Sequence, residues 1–406
     1  MGKRMLEAVW GTVFIFTFLY LFTFVPSFDH LDPISDALRD YESSDQVFSS
    51  MKDSMHADFD MDTNITIVNI AQVDRATIGK MLEIIGKYKP KVVGIDAFFR
   101  KEKGPMQDFP LMMGMSKIEN LVLVSELDSV TDEGNCWKRL NKSNPMFMDY
   151  AMTGFANVIT GEHEHGGDYR TVREFRPTFC IADSLELNFT TKIVSIFDSA
   201  AYRNLLTRGN NSEAINWRGN FTKFFSLGVN QVLQEQFDPS VVRDKIILFG
   251  YIGEYVGDQD SYIDKFYTPM NERAAGRAYP DMYGIVVHAN VISMILHGNY
   301  ITTLPDWADY LICLIVTYLN VLLFMFIARN RKTWYDVITK PMQIVELIVI
   351  TFLVIGFLLN YNIKMNLTLT LITIAFAGDL TELFHSTIMG FAQKQIDKAR
   401  SFIQSS

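Results

Sequence analysis

Residues 65–96 read ITIVNIAQVDRATIGKMLEIIGKYKPKVVGID. Three elements follow one another in this stretch. Residues 65–70 are rich in β-branched side chains, which favours a strand. Over residues 77–88 the apolar side chains Ile78, Met81, Leu82 and Ile85 recur at helical spacing, and Pro90 stops that helix. Residues 92–95 are apolar throughout and end on Asp96. A strand with no polar face must be covered on both sides, as in a parallel sheet clothed by helices. Outward from here, a helix is predicted over 106–118 and a strand over 121–125. The alternation continues with strands at 154–160, 174–177, 214–217 and 245–250, and helices at 183–206, 225–235 and 286–296. The predicted fold is α/β, a mainly parallel sheet with helices on both faces and right-handed crossovers.

The rest of the chain is of another kind. Residues 6–25, 309–327, 343–359 and 363–378 are apolar runs of roughly the 17–25 residues that a bilayer-spanning helix needs. Four transmembrane helices are expected. The first is too long for a signal h-region and has no small-x-small site after it, so it reads as an uncleaved anchor. Basic residues fall at Lys3 and Arg4, at Arg329, Arg331, Lys332 and Lys340, and at Lys394, Lys398 and Arg400. Four spans put all three groups in the cytoplasm, with both termini. The expected organisation is an anchor (1–26), an extracytoplasmic domain (27–307), three membrane helices (308–378) and a short cytoplasmic helical tail (379–406). The extracytoplasmic part carries 39 acidic against 27 basic residues. Among 406 residues, 49% hydrophobic and 20% charged exclude general disorder. Three Cys exclude a disulfide framework, and a net charge of −9 argues against nucleic-acid binding.

Several segments in order resemble the second CHASE family, extracellular sensory domains of bacterial cyclases, histidine kinases and diguanylate cyclases. They are Val92-Val93-Gly94-Ile95-Asp96-Ala97-Phe98-Phe99, Gly154-Phe155-Ala156-Asn157-Val158, Ile215-Asn216-Trp217-Arg218-Gly219, Asp244-Lys245-Ile246-Ile247-Leu248-Phe249-Gly250, Asp264 with Thr268-Pro269, and Gly284-Ile285-Val286-Val287-His288-Ala289-Asn290. The resemblance covers roughly residues 30–305. It implies a sensory domain in a bacterial inner membrane, facing the periplasm. Family members usually continue into a catalytic output domain, whereas 28 residues follow 378 here. The expectation is a non-enzymatic sensor or accessory subunit that signals to a separate protein. The alternative is a docking subunit of an envelope complex that does not switch. The expected partners are the lipid bilayer and another membrane or cytoplasmic protein or a second copy. No cofactor is expected.

Each candidate site has a functional and a plainer reading. In open parallel sheets ligands bind outside the carboxyl ends of the strands. Asp74, Asp96, Gly250, Asp264 and His288 are therefore candidate ligand-cleft residues. Alternatively, the two aspartates cap helices or loops, and His288 is a packed core residue. His163 and His165 with Asp168 have metal-ligating chemistry, but also suit a solvated hairpin tip. Gly250-x-x-Gly253 lacks a phosphate-loop ending, and the carboxylates of Glu254, Asp258, Asp260 and Asp264 read as a solvated acidic loop. Cys136 and Cys180 lie in the exported part, where a disulfide can form. Trp334, Glu346, Phe384, Ile388 and Phe391 are candidate partner contacts on the membrane helices and the cytoplasmic side.

Overall fold

The computed structural model describes residues 2–22, 45, 47–52, 61–130, 137–157, 171–181, 184–258, 260–271 and 279–389. The chain forms two units, residues 40–301 and residues 1–39 with 302–406. The first helix, α1 (Gly2–Phe22), belongs to the second of these.

In the 40–301 unit, β1 (Asp62–Asn69), α2 (Arg75–Lys87), β2 (Val92–Ile95), α3 (Pro105–Met115) and β3 (Leu121–Val130) alternate as the opening stretch requires. There follow β4 (Trp137–Asn141), α4 (Pro145–Met148), β5 (Met152–Phe155), β6 (Glu174–Phe175), β7 (Thr178–Ile181), β8 (Ser184–Leu187), α5 (Phe189–Phe197), α6 (Ser199–Arg208) and β9 (Glu213–Ala214). The unit ends with β10 (Phe224–Leu227), α7 (Val229–Leu233), β11 (Ile246–Gly250), β12 (Lys265–Phe266), β13 (Met282–Tyr283) and α8 (Gly284–His297). Strands β10, β1, β11, β2, β3 and β5 lie side by side in that order, all parallel. The far half of β3 turns instead to an antiparallel pairing with β4, which leads to β7 and β8.

The period-2 alternation of strands divides the core. Val93, Ile95, Ile247, Phe249, Leu121 and Leu123 face α2, α3 and α7 in one apolar cluster. The opposite face carries Gly94, where a Cβ would lie 2.6 Å from Ile193 and 2.7 Å from Phe189, so these two side chains of α5 rest directly on the strand backbone. Helices α2 and α3 also meet without side chains between them: a Cβ on Gly79 would lie 2.2 Å from the Pro110 carbonyl oxygen. Beside that crossing, Arg75 is bonded to Asp108 at 2.5 Å with both side chains buried. Asp108 also accepts from the backbone N–H of Lys103 and Gly104, and the Arg75 guanidinium lies 5.5 Å from the ring centres of both Phe99 and Phe147.

Two predicted helices come out differently. Residues 183–206 are not one helix: within that range β8 precedes α5 and α6, the two helices being separated at Asp198. Asn188 accepts from Thr190 N–H to start α5, and Asp198 accepts from Ala200 and Ala201 N–H to start α6. Side-chain oxygens that begin a helix here override the apolar periodicity running through them. Residues 225–235 begin as the edge strand β10, and only Val229–Leu233 is helical.

The second unit holds α1, α9 (Asp306–Asn330), α10 (Tyr335–Tyr361) and α11 (Thr368–Leu383). Among the described residues, three of its helical stretches, Arg4–Leu21, Asp306–Asn330 and Lys332–Tyr361, are long and apolar enough to cross a membrane. Helix α11, the fourth expected span, is shorter at 16 residues and runs on into a π-helical stretch, Phe384–Met389. Gln343 on α10 donates to the backbone oxygens of Ile374 (2.8 Å) and Ala375 (3.0 Å), and Tyr335 donates to that of Gly378 at 2.7 Å. Glu7 of α1 pairs with Arg329 of α9.

Removing the Asp108 carboxylate strands the Arg75 guanidinium among aromatic rings. Asp108→Ala is expected to destabilise the 40–301 unit by about 3–5 kcal/mol. By contrast, Lys80→Ala, which breaks an exposed pair with Glu83, should leave stability nearly unchanged. Denaturant unfolding of the full chain in detergent, followed by the fluorescence of the buried Trp217, measures both.

Candidate functional site

Register sets the rim of the sheet. Asn69 is level with Gly250, and Ile95 with Phe249, so the residues that end β1, β11 and β2 share one edge. The Asp96 N–H donates to the Phe249 carbonyl at 2.8 Å, carrying the chain straight out of the sheet. Alternation from Gly94 puts the Asp96 side chain on the α5/α8 face. Helix α8 packs against that face so closely that a Cβ on Gly250 would lie 2.5 Å from the Cβ of Ile285. One turn along α8, His288 is buried, its ring edge-on to Phe189 at 5.1 Å. Its Nε2 lies 3.9 Å from Asp96 Oδ2. Asp264 stands at the start of the same helix. It adopts a left-handed backbone (φ 55°) and accepts the Gly284 N–H on its own carbonyl. Both of its carboxyl oxygens lie 3.3 Å from where a Gly284 Cβ would sit.

Four of the five candidate cleft residues thus meet: Asp96, Gly250, Asp264 and His288. Gly250 contributes room and Asp96, Asp264 and His288 contribute chemistry. Asp74 has a different task. It caps α2 through Thr77 N–H at 2.8 Å and accepts from Gln107 at 3.0 Å. Those bonds hold its carboxyl down at about 2.

The acidic loop is not a solvated one throughout. Asp258 is buried and organises it, accepting from the N–H groups of Glu254, Asp260 and Ser261, while its carbonyl accepts from Tyr283 Oη. Glu254 accepts from Gln72, and Asp281 accepts from Thr268. Among the described residues, no donor reaches the carboxyl of Asp96 or Asp264, and no hydrogen bond is made by the ring of His288. Burial pushes the Asp96 carboxyl up to about 6 and the His288 imidazole down to about 4. Asp264 is more open to solvent, and is raised by the surrounding protein and by the neighbouring Asp96 charge.

Other residues were not singled out by the sequence. Asn69 accepts from Ala71 and Ile252 N–H and donates to the Gly253 carbonyl, tying together the loops that leave β1 and β11. A polar residue closing an apolar strand was the available signal. Asn290, two residues beyond His288, accepts from Arg218 and Gly219 N–H and donates to the Gly219 carbonyl. At the far end of α8, the fully buried Asp62 carboxylate accepts from Ser293 at 2.6 Å, with Arg218 and His297 within 3.9 Å.

Among the described residues no three His, Cys, Asp or Glu side chains converge on a point that suits a metal. His163, His165 and Asp168 lie outside the described residues, as do Phe391 and Cys136. Cys180 is disulfide-bonded, and Cys313 is free and buried. Of the candidate partner contacts, Phe384 is spent inside its own bundle, 5.6 Å from Phe14, and Glu346 is half-buried. Trp334 and Ile388 are exposed.

Residues 40–323 match the family model of the CHASE2 domain. The chain belongs to the CHASE2 family, whose domains are extracellular sensory domains of signalling proteins. No curated protein and no solved structure matches it.

The two shifts make opposite contributions to stability. A carboxyl raised above its unfolded value of 3.8 favours the folded state at low pH, and that contribution is lost as pH rises towards 6. An imidazole lowered from 6.5 favours the folded state at neutral pH and loses that contribution as pH falls towards 4. The stability of Asp96→Asn relative to the natural chain should therefore improve by about 1–3 kcal/mol from acid to neutral pH. For His288→Gln the relative stability should improve in the acid direction. Denaturant unfolding across this pH range measures both slopes.

Proposed function

We propose that this chain is a non-enzymatic, inner-membrane sensor or accessory subunit of a bacterial envelope. Its extracytoplasmic domain binds a ligand at the Asp96–Asp264–His288 rim, and its membrane helices pass the state to a separate protein. The observation that carries this reading is His288, buried at the strand ends with no hydrogen bond on its ring and its Nε2 3.9 Å from Asp96, a carboxyl that likewise has no donor among the described residues. Buried polar groups are normally satisfied, and exceptions call for a reason. In a sensory-domain family, a ligand that supplies the missing partners is such a reason.

Four spans with both termini in the cytoplasm complete the reading. Helix α11 and the stretch after it run for 22 residues together, about the length of a crossing helix. Bonds from Gln343 and Tyr335 join it to α10, as suits a segment with no water for company. A fourth crossing also puts all three basic groups on one side. The exposed Trp334, in the short connection between α9 and α10, would then face the cytoplasm as a partner contact.

A second reading, a docking subunit without switching, is favoured by one observation. Met106, Phe109 and Met113 recur at i, i+3 and i+7 on α3, all three exposed. A stripe of that kind on a soluble surface suits a protein contact.

Mild-detergent purification from native membranes separates the two. The sensor reading expects one stoichiometric partner with a catalytic domain, whose activity changes in Asp96→Asn while the complex and the fold remain. The docking reading expects a set of envelope proteins without catalytic domains, lost in Phe109→Glu and unaffected by Asp96→Asn.

A further inference from the structure

We propose that the rim formed by Asp96, Asp264 and His288 takes a small organic ligand bearing a protonated primary amine. This rests on the reading of that rim as the sensor's ligand cleft, and adds the chemical class of what enters it.

Two neighbouring carboxyl groups stand here without a donor among the described residues. The two carboxyl groups repel one another, the Asp96 charge raising Asp264. Anionic ligands, phosphates included, are therefore disfavoured. The neighbouring carboxylates differ in this respect. Asp74, Glu254, Asp258 and Asp281 each accept from a side chain or backbone N–H. The loops around the rim thus have donors enough, and withhold them from Asp96 and Asp264.

His288 is the independent observation. It is 5% exposed, it makes no hydrogen bond, and its Nε2 faces the Asp96 carboxyl. The 3.9 Å between Nε2 and Oδ2 is too long for a hydrogen bond. It is the right span for one bridging atom. A nitrogen about 2.8 Å from both would see them at an angle of about 90°, about 20° narrower than the tetrahedral spread of two ammonium N–H bonds, a departure of about 10° that each hydrogen bond tolerates. Its charge would offset that of Asp96 and of the neighbouring Asp264. A bridging water offers the same geometry without the charge. Metal ions need a closer set of ligands than the described residues assemble. Tyr262, two residues before Asp264, is exposed and packs 4.9 Å from Tyr279, an aromatic surface close to the acidic group along the chain. Such surfaces favour organic cations and the carbon attached to them.

The test uses the full chain in detergent, with ethanolamine and putrescine as probes and propanol and acetate as controls, read by thermal unfolding and titration calorimetry. Saturable binding of at least one amine is expected, with neither control bound. Asp96→Asn and Asp264→Asn should each weaken it about tenfold or more, while Glu119→Gln, an exposed carboxylate elsewhere, should leave it intact. Equal binding by the natural chain and both variants overturns the proposal, because it means nonspecific attraction to an acidic domain. Failure of both amines to bind overturns it too. Preferential binding of acetate, propanol, zinc or calcium that Asp96→Asn abolishes overturns the amine class but keeps the cleft. If Asp96→Asn also leaves the activity of the co-purified partner unchanged, the cleft reading itself fails.

Discussion

The Ile285 side chain of helix α8 sits directly on the backbone of strand β11 at Gly250, and the burial of that helix in the 40–301 unit follows from the contact. A helix held that close to a sheet is buried along its length, and Gly284 through Ile295 are buried without a break. An apolar sequence meets that demand at most positions. Three polar residues within it, His288, Asn290 and Ser293, must find partners in the interior or go without. Asn290 binds the backbone at 218–219, and Ser293 binds the Asp62 carboxylate. His288 is given only a phenyl edge and a carboxyl just out of reach. The same helix therefore has a fully bonded end and an unbonded one, and the unbonded end lies where the strands stop.

How far this was legible depends on the length scale of the signal. The parallel sheet was legible because β2 and β11 have no polar face, and only burial on both sides permits such a strand. The rim was partly legible for the same reason: alternation from Gly94 fixes the face of Asp96. Asp74 shows the limit. It too follows a strand, but Thr77 stands three residues on, and the local cap takes its carboxylate before any cleft can. The segments misread as helices failed for one cause. Apolar spacing at 183–206 and 225–235 fits a helix, but Asn188, Asp198 and Gly228 begin new elements inside those windows, and β10 gains its strand character only by pairing with β1. That pairing joins residues about 160 positions apart, which no local window contains.

The membrane unit was legible as composition and illegible as packing. Hydropathy marks the spans because lipid offers no hydrogen bonds to a backbone. It cannot say which polar residue inside a span joins two helices. Gln343 reads as the first residue of an apolar run, yet its amide binds two carbonyl oxygens of α11. A Cβ on Gly378 would lie 2.8 Å from the Gln343 Oε1. Small residue and long amide fit one another across the helix pair, and neither is informative alone. Phe384 misled in the opposite sense: its helical stripe looked free, but α1 covers it through Phe14.

The contrast between the two ends of α8 bears on why the rim is left unbonded. At the far end, Asp62 is fully buried and has a serine hydroxyl, a backbone N–H and two basic side chains about it. A fold able to satisfy that carboxylate, at 0% side-chain exposure, has the means to satisfy a more accessible one. Asp96 keeps 17% of its side chain open. Access and missing donors at one place are a combination that stability alone does not select, since each unsatisfied group in a partly dry site lowers stability. A purely structural α8 would be better served by an apolar residue at 288, which the same backbone contact and the same phenyl edge would accept.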